Sequence, residues 1–166
     1  MNLFPHAGKP YYIAAPPYDT KSAGVKCLHI LCHALNMKGQ RAYIVPMGEM
    51  KASENYGYVT PQAPAGTVWD DGIVVYPEII VGNPLGAKTV VRYLLYYAGA
   101  YGGTKDFDLF DNVWAFSKPI ARDAGISEDK ILTIPSVDMQ VFVPWVGVSV
   151  LRWVRWYSSE VWLTSQ

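Results

Sequence analysis

Three short runs of apolar residues, each followed by proline, place the strongest constraint on how this chain folds. They cover residues 11–15, 41–45 and 72–76. Each run is too short for a stable helix, and apolar residues follow one another without regular polar alternation. That pattern is typical of strands buried on both faces of a parallel sheet. Parallel strands need long crossover connections, so the segments between the runs should hold helices or long loops.

The segment between the first two runs has the spacing of an amphipathic helix. Leu28, Leu31 and Leu35 recur at helical intervals within residues 24–37, and Gly39 follows. This spacing predicts a helix whose leucines face the core and which ends near the glycine. The opposite, polar face is predicted to carry Lys26, His29, His33 and Asn36.

The second half of the chain continues the alternation. Residues 112–117 and 130–134 are predicted strands, and residues 119–124 a short helix with proline in its first turn. Residues 89–97 are rich in Val and Tyr, which favours a strand, although a helix opening at Gly86 is an alternative. The sequence therefore predicts an α/β fold, a single Rossmann-like open parallel sheet with helices on both faces.

The charge balance and the cysteines limit the partners and the cellular compartment that we expect for this protein. With 14 Lys+Arg and 14 Asp+Glu among 166 residues, the net charge is zero, and no basic excess favours a nucleic-acid partner. Cys27 and Cys32 lie five apart in the predicted helix, on different faces, so we expect free thiols. Free thiols and a start without signal-peptide character lead us to expect a cytoplasmic protein.

The tail, residues 145–166, is predicted as a separate segment. It is very apolar but contains Arg152, Arg155 and Glu160, which argues against a membrane span. A helix packed on the domain, a docking surface for another chain and an interfacial membrane helix at the membrane periphery are the three alternatives, and its β-branched residues also allow a strand.

Four blocks in order resemble the N-terminal, acceptor-side lobe of GT-B-fold glycosyltransferases, above all the family-4-like bacterial enzymes of polysaccharide biosynthesis. The blocks are residues 12–24, 72–85, 113–118 and 130–144, the last containing Ile134-Pro135, Asp138, Phe142 and Pro144. In that family the last block leads into the second lobe. The resemblance therefore implies a Rossmann-like N-terminal GT-B lobe over residues 1–144, followed by the tail.

The resemblance implies the acceptor-binding half of a glycosyltransferase, which transfers a sugar from a nucleotide-sugar donor to a saccharide or lipid-linked acceptor. The donor lobe normally carries a basic cluster and a pair of acidic residues, and nothing after Pro144 resembles either. We therefore expect the chain to be inactive alone, with no cofactor, and to pair with a second-lobe protein or another copy through residues 145–163. The alternative is a non-catalytic Rossmann-like binding domain that docks a partner with its aromatic tail.

The candidate site lies where ligands bind in open α/β sheets, beyond the carboxyl ends of the strands. The predicted catalytic residue is Glu78, which could orient acceptor hydroxyls or act as a base. The predicted substrate-binding residues are Asp19, Ser22, Gly24, Asn83, Ser117 and Lys118.

Each of these residues also has an ordinary structural interpretation. The two serines could cap helices, Asn83 could be a turn residue, and Lys118, like Arg92, could be a surface charge rather than a phosphate ligand. Glu78 could cap a neighbouring helix or pair with a Lys or Arg, but at the end of a strand it is expected to be replaceable by alanine without loss of the fold. His29 and His33 have metal-pair spacing, but no third ligand accompanies them, so we predict no metal site.

Overall fold

The computed structural model describes residues 8–48, 57–107 and 111–136. They form an α/β fold in which helices pack on a five-stranded sheet. All neighbouring strands are parallel, in the order β2-β1-β3-β4-β5. The strands are β1 (Tyr11–Ala15), β2 (Ala42–Pro46), β3 (Ile73–Pro77), β4 (Val90–Leu94) and β5 (Asn112–Ala115), and the helices are α1 (Ala23–Met37) and α2 (Lys118–Asp123). The predicted fold class, a single open parallel sheet of Rossmann-like type, is confirmed.

The strands form because their side chains are apolar on both faces of the sheet. On one face Ile13, Val75 and Tyr93 pack beneath α1 together with Leu28. On the other face Tyr12, Val74 and Tyr76 form a second cluster. Alternation along each strand sends neighbours to opposite faces, so a run without polar residues is stable only when both faces are covered.

Helix α1 begins and ends where its sequence signals predict. The Ser22 hydroxyl accepts a hydrogen bond from the Val25 N–H (3.3 Å), which satisfies one of the free amides of the first turn. Cys27, Leu28 and Cys32 bury the core-facing side. The prediction that His29 lies on the polar side is wrong, because it is only 2% exposed.

Helix α2 covers the opposite face of the sheet at the far edge. Ile120 and Ala121 pack on Leu94 and Ala115. Tyr93 lies on the face covered by α1. Because neighbouring strand residues point to opposite faces, Leu94 lies on the other face, and α2 therefore covers the face opposite to α1. Between β3 and β4 the crossover, residues 78–89, contains no helix and is a loop with buried apolar contacts on the Tyr76 side.

Several element boundaries differ from those predicted, and two of the differences have a clear physical cause or size. The predicted strand 89–97 ends at Leu94, because the next amide, Leu95 N–H, bonds to the Glu78 carboxylate (3.0 Å). The predicted last strand, residues 130–134, is reduced to a single parallel bridge between Ile131 and Ala115.

The compact unit to which all the described residues belong ends at Ser136. The predicted boundary at residue 144 and the predicted tail, residues 145–166, lie outside the described residues. None of the helices in the described part of the chain is both long enough and apolar enough to cross a membrane.

Candidate functional site

The sheet has a switch point between β1 and β3. After β1 the chain adds β2 on one side and then crosses to place β3, β4 and β5 on the other. In open parallel sheets the loops that diverge at such a point leave a crevice outside the carboxyl ends of the strands. We call this side of the sheet the carboxyl edge. The loops after β1, β3, β4 and β5 all begin there.

The loop after β1 places three predicted residues at the start of α1. The Asp19 carboxylate is exposed and accepts a hydrogen bond from the Lys21 N–H (2.8 Å), so it shapes a turn. Ser22 is the helix cap. A Cβ at Gly24 would lie 3.6 Å from Leu95 Cδ1, which is an ordinary contact distance, so this packing contact does not itself require glycine. This contact places the start of α1 beside the end of β4.

Glu78 lies at the carboxyl edge but is only 7% exposed. Its Oε2 accepts the Leu95 N–H at 3.0 Å, which joins the end of β3 to the end of β4. Burial raises the pKa of the Glu78 carboxyl above its usual range, and the N–H groups of Leu95 and Tyr96 partly offset that rise. Glu78 therefore has a structural role, but its partner is the amide that follows β4 rather than the helix end or cation expected from the sequence.

An exposed cluster of tyrosines follows Leu95, and we call Tyr96, Tyr97 and Tyr101 the tyrosine cluster. Their exposed fractions are 42%, 37% and 75%. The ring centroids of Tyr96 and Tyr97 are 5.2 Å apart, and those of Tyr96 and Tyr101 are 4.9 Å apart. Electrostatic interaction and a hydrogen bond with Tyr101 raise the pKa of the Tyr96 hydroxyl.

The tyrosine cluster lies on a loop that is fixed at both ends. At its start the Leu95 amide is held by Glu78. At its far end Gly103 has φ of 78°, and a Cβ there would collide with the Glu78 carbonyl oxygen. Only glycine allows this backbone to pass so close. Glu78 therefore anchors the loop through its side chain and its main chain together.

The end of β5 carries two more predicted residues. Ser117 precedes α2 and its carbonyl accepts the Ala121 N–H (2.9 Å), but its hydroxyl makes no cap bond in α2. Lys118 is exposed and pairs with Glu128 (2.9 Å), which also lies near Arg122. Both residues are at the carboxyl edge, beyond the strand next to β4.

Asn83 belongs to a different cluster. Its side chain bonds the Tyr76 hydroxyl (3.2 Å) and both the N–H (3.1 Å) and the carbonyl (2.8 Å) of Ala87, within the β3–β4 crossover. The same crossover is tied down by Arg92, which is 3% exposed, pairs with Asp111 at 2.8 Å, and donates to the Ile80 (2.7 Å) and Gly82 carbonyls. The interpretation of Arg92 as a surface charge is wrong.

A cavity of about 310 Å³ lies beside this ion pair. Lys88, Thr104 and Asp106 line it together with the pair itself. The Arg92 guanidinium also lies over the Tyr76 ring, 4.8 Å from its centroid. Arg92 thus bonds to a carboxylate, two carbonyls and a ring face, which identifies it as a structural cross-link between the crossover and the segment before β5.

The two histidines of α1 bond to the backbone. His29 Nε2 is 2.9 Å from the Pro16 carbonyl oxygen, and burial lowers the pKa of His29. His33 Nδ1 accepts the Val59 N–H (3.0 Å). Within residues 8–48, 57–107 and 111–136, no three His, Cys, Asp or Glu side chains are grouped to hold a metal ion.

No protein-family model matches the chain, and neither a curated protein nor a solved structure matches it significantly. The fold and the geometry of the carboxyl edge are therefore the observations on which a functional assignment can rest.

The tyrosine cluster of the carboxyl edge was not predicted from the sequence. Tyr96 and Tyr97 fell inside a predicted strand, where aromatic residues would fill the core. The available signal was the glycine-rich stretch immediately after them, at Gly99, Gly102 and Gly103. Closely spaced glycines mark a loop with positive φ angles, and aromatic residues within such a loop are not strand residues.

Proposed function

We propose that this chain is the acceptor-binding half of a glycosyltransferase and that its carboxyl edge holds a saccharide or lipid-linked acceptor. The donor, a nucleotide sugar, is held by a second lobe, supplied by another protein or by another part of a longer one. The observation that carries the proposal is the switch point itself. The start of α1, the end of β3 and the loop after β4 meet there, as the Gly24–Leu95 and Glu78–Leu95 contacts record.

The chemistry of this edge suits binding better than bond breaking. Glu78 is only 7% exposed and its Oε2 accepts the Leu95 N–H, so little of the carboxylate is presented to an acceptor hydroxyl. A positioning role requires no proton transfer to Glu78. Asp19, Ser117 and Lys118 are the predicted binding residues with accessible polar groups at this edge. Catalysis then depends on a second lobe that brings the donor to the bound acceptor.

A non-catalytic binding domain is the second candidate. It is favoured by the internal engagement of two predicted site residues, since Glu78 bonds to Leu95 and Asn83 bonds within its own loop. In that case the partner is held through the predicted tail, residues 145–163, or at the carboxyl edge itself, and no sugar is transferred.

We place the protein in the cytoplasm. Cys27 and Cys32 are buried free thiols, and burial raises the pKa of Cys27 to about 11. Free thiols persist in a reducing compartment.

The decisive experiment is a transfer assay with the full chain. The chain is mixed with candidate second-lobe proteins encoded beside it, with a panel of labelled nucleotide sugars, and with both saccharide and lipid-linked acceptors. Transfer that requires both proteins supports the proposal. Binding of a protein partner without transfer in any combination favours the non-catalytic domain and contradicts the glycosyltransferase assignment.

A further inference from the structure

We propose that the tyrosine cluster is a stacking platform for an uncharged pyranose ring of the acceptor. For its ligand class this inference rests on the proposed function. It goes further by assigning the acceptor subsite to Tyr96, Tyr97 and Tyr101, on the loop after β4, rather than to the loops after β1 and β3.

The exposure of the cluster is the first argument. Tyrosine rings carry large apolar faces that are usually buried, with the hydroxyl reaching a polar partner. Here three rings lie together with 37% to 75% of their surface exposed, next to the crevice where ligands bind in this fold. Grouped aromatic rings at such a place provide ring faces for stacking and hydroxyl groups for hydrogen bonds.

The distances between the rings fit a stacking surface rather than an aromatic cage around a cation. Tyr96 contacts both of its neighbours, with centroids 5.2 and 4.9 Å away. Rings at these distances touch each other, so no cation fits between them as in an aromatic cage. A ligand must lie on the outer faces of the cluster. The C–H face of a pyranose ring matches such a surface, and its hydroxyl groups can then reach the phenol groups.

The uncharged loop that carries the platform favours a neutral ligand. The stretch from Leu95 to Thr104 contains no charged residue, and Glu78 beneath it is buried. A phosphate-bearing ligand such as a nucleic acid depends on Lys or Arg contacts. Lys105, whose side chain passes Gly99, is the nearest cation along the chain, and a single lysine does not form a phosphate-binding site.

The rigidity of the platform completes the argument. Glu78 holds the Leu95 amide at the start of the loop, and the Gly103 backbone packs on Glu78 at its end. Between them Ala98 is buried, at 4% exposure, and the Ala100 N–H closes a turn on the Tyr97 carbonyl (3.1 Å). A ring surface that is already ordered loses little conformational entropy when it binds a ligand.

The test measures saccharide binding by the full chain. Methyl β-glucopyranoside, cellobiose and N-acetylchitobiose are titrated, and binding is followed by saturation-transfer NMR and by chemical-shift changes. Tetramethylammonium and uridine serve as a cation and as an aromatic base. The variants are Tyr101→Ala, Tyr96→Ala and Tyr101→Phe. Met37→Ala is the control, because it truncates an apolar side chain that is 64% exposed at the far end of α1.

We expect the wild type to bind at least one saccharide and each alanine variant to bind it about tenfold more weakly, because a stacking face is lost. Tyr101→Phe keeps the ring but loses the phenol hydroxyl, so it should bind more tightly than Tyr101→Ala and more weakly than the wild type. Met37→Ala should bind as the wild type does. Tyr101 is the most exposed ring, so its removal reports on binding even if Tyr96→Ala unfolds.

Equal binding by wild type and alanine variants overturns the platform, as does wild-type protein that binds no saccharide or prefers tetramethylammonium. The transfer assay separates this inference from the proposed function. Undiminished transfer by Tyr101→Ala with an active second lobe removes the platform and leaves the function standing. Saccharide binding lost in Tyr101→Ala, without transfer in any combination, supports the platform and removes the glycosyltransferase.

Discussion

At the scale of single residues, the fold depends on polar side chains that are buried and bonded to backbone. Glu78 is the clearest example, since its carboxylate holds an amide of the neighbouring strand while burial raises its pKa. His29 is similar, with one ring nitrogen on the Pro16 carbonyl. Such groups cost free energy unless they are hydrogen-bonded, so each of them reports on the structure around it.

We expect Glu78→Ala to destabilise the protein by about 1–3 kcal/mol, since it leaves the buried Leu95 amide without its acceptor. Glu78→Gln keeps an acceptor oxygen and should cost clearly less. Urea unfolding at pH 7 measures both changes. This expectation replaces the one from sequence, which took Glu78 for an exposed residue. Equal stability of wild type and Glu78→Ala would show that the Leu95 amide finds another partner.

The same carboxyl should make the stability depend on pH. The folded pKa of Glu78 is raised, so the folded state binds more protons than the unfolded state above the normal carboxyl range. The contribution of Glu78 to stability therefore falls as the pH rises from about 4.5 through the raised pKa. Glu78→Gln should remove this part of the profile. Parallel profiles for the two proteins would contradict the raised pKa.

The slope expected from His29 has the opposite sign. Burial lowers its pKa, so below about pH 6.5 the unfolded chain takes up a proton that the folded chain does not, and stability is lost as the pH falls. His29→Phe keeps a ring against Tyr18 but cannot titrate. The stability advantage of the wild type over this variant should therefore shrink between pH 7.5 and 5.5. An advantage that does not change with pH would mean that His29 titrates normally in the folded state.

At the scale of elements, the sequence predicted the strands and α1 well, because apolar runs and helical spacing are local signals. It failed where a distant residue determined the outcome. Glu78 binds the amide at the end of β4, on Leu95, which lies 17 positions later in the sequence. Arg92 pairs with Asp111, which lies 19 positions later. The first residues of the loop after β4, 95–97, were therefore assigned to the strand, and the tyrosine cluster was missed. The alternative interpretation of Ser22 as a helix cap is confirmed, and it could be made from sequence because the partner of Ser22 is three residues on.

Two neighbouring glycines of the tyrosine loop provide a matched test of that element. Gly102 and Gly103 both have positive φ, 99° and 78°, but only a Cβ at Gly103 meets a neighbour, the Glu78 backbone. Gly102→Ala should lower the free energy of unfolding by about 1–2 kcal/mol, because a Cβ is strained in the left-handed backbone conformation. Gly103→Ala should cost clearly more, because the loop must also move off β3. Thermal unfolding compares the two, and equal losses would contradict the close packing on Glu78.

At the scale of the whole molecule, the segment that resembles an interlobe linker begins as part of the domain. The Leu132 N–H bonds the Ala115 carbonyl (2.9 Å), and the Tyr93 hydroxyl donates to the Leu132 carbonyl. Two residues further, the Cys27 thiol donates to the Ile134 carbonyl (3.2 Å). These bonds connect the segment to β5, β4 and α1 at once, so the sheet and its main helix are closed by residues at the end of the described chain.

A substitution at Ile134 tests how strongly these contacts of the terminal segment stabilise the domain. Its side chain is 7% exposed and packs in the cluster beneath α1 with Leu28 and Ile13. Ile134→Ala should cost about 2–4 kcal/mol, since it removes buried methyl groups and leaves a cavity. Ile79→Ala deletes the same atoms at a position that is 46% exposed and should cost much less. Chemical denaturation followed by circular dichroism gives both values. If residues up to Ser136 form one cooperative unit, the Ile134 variant should lower the midpoint of a single transition. A loss no larger than that of Ile79→Ala would mean that the segment acts only as a linker, and that the lobe is closed without it.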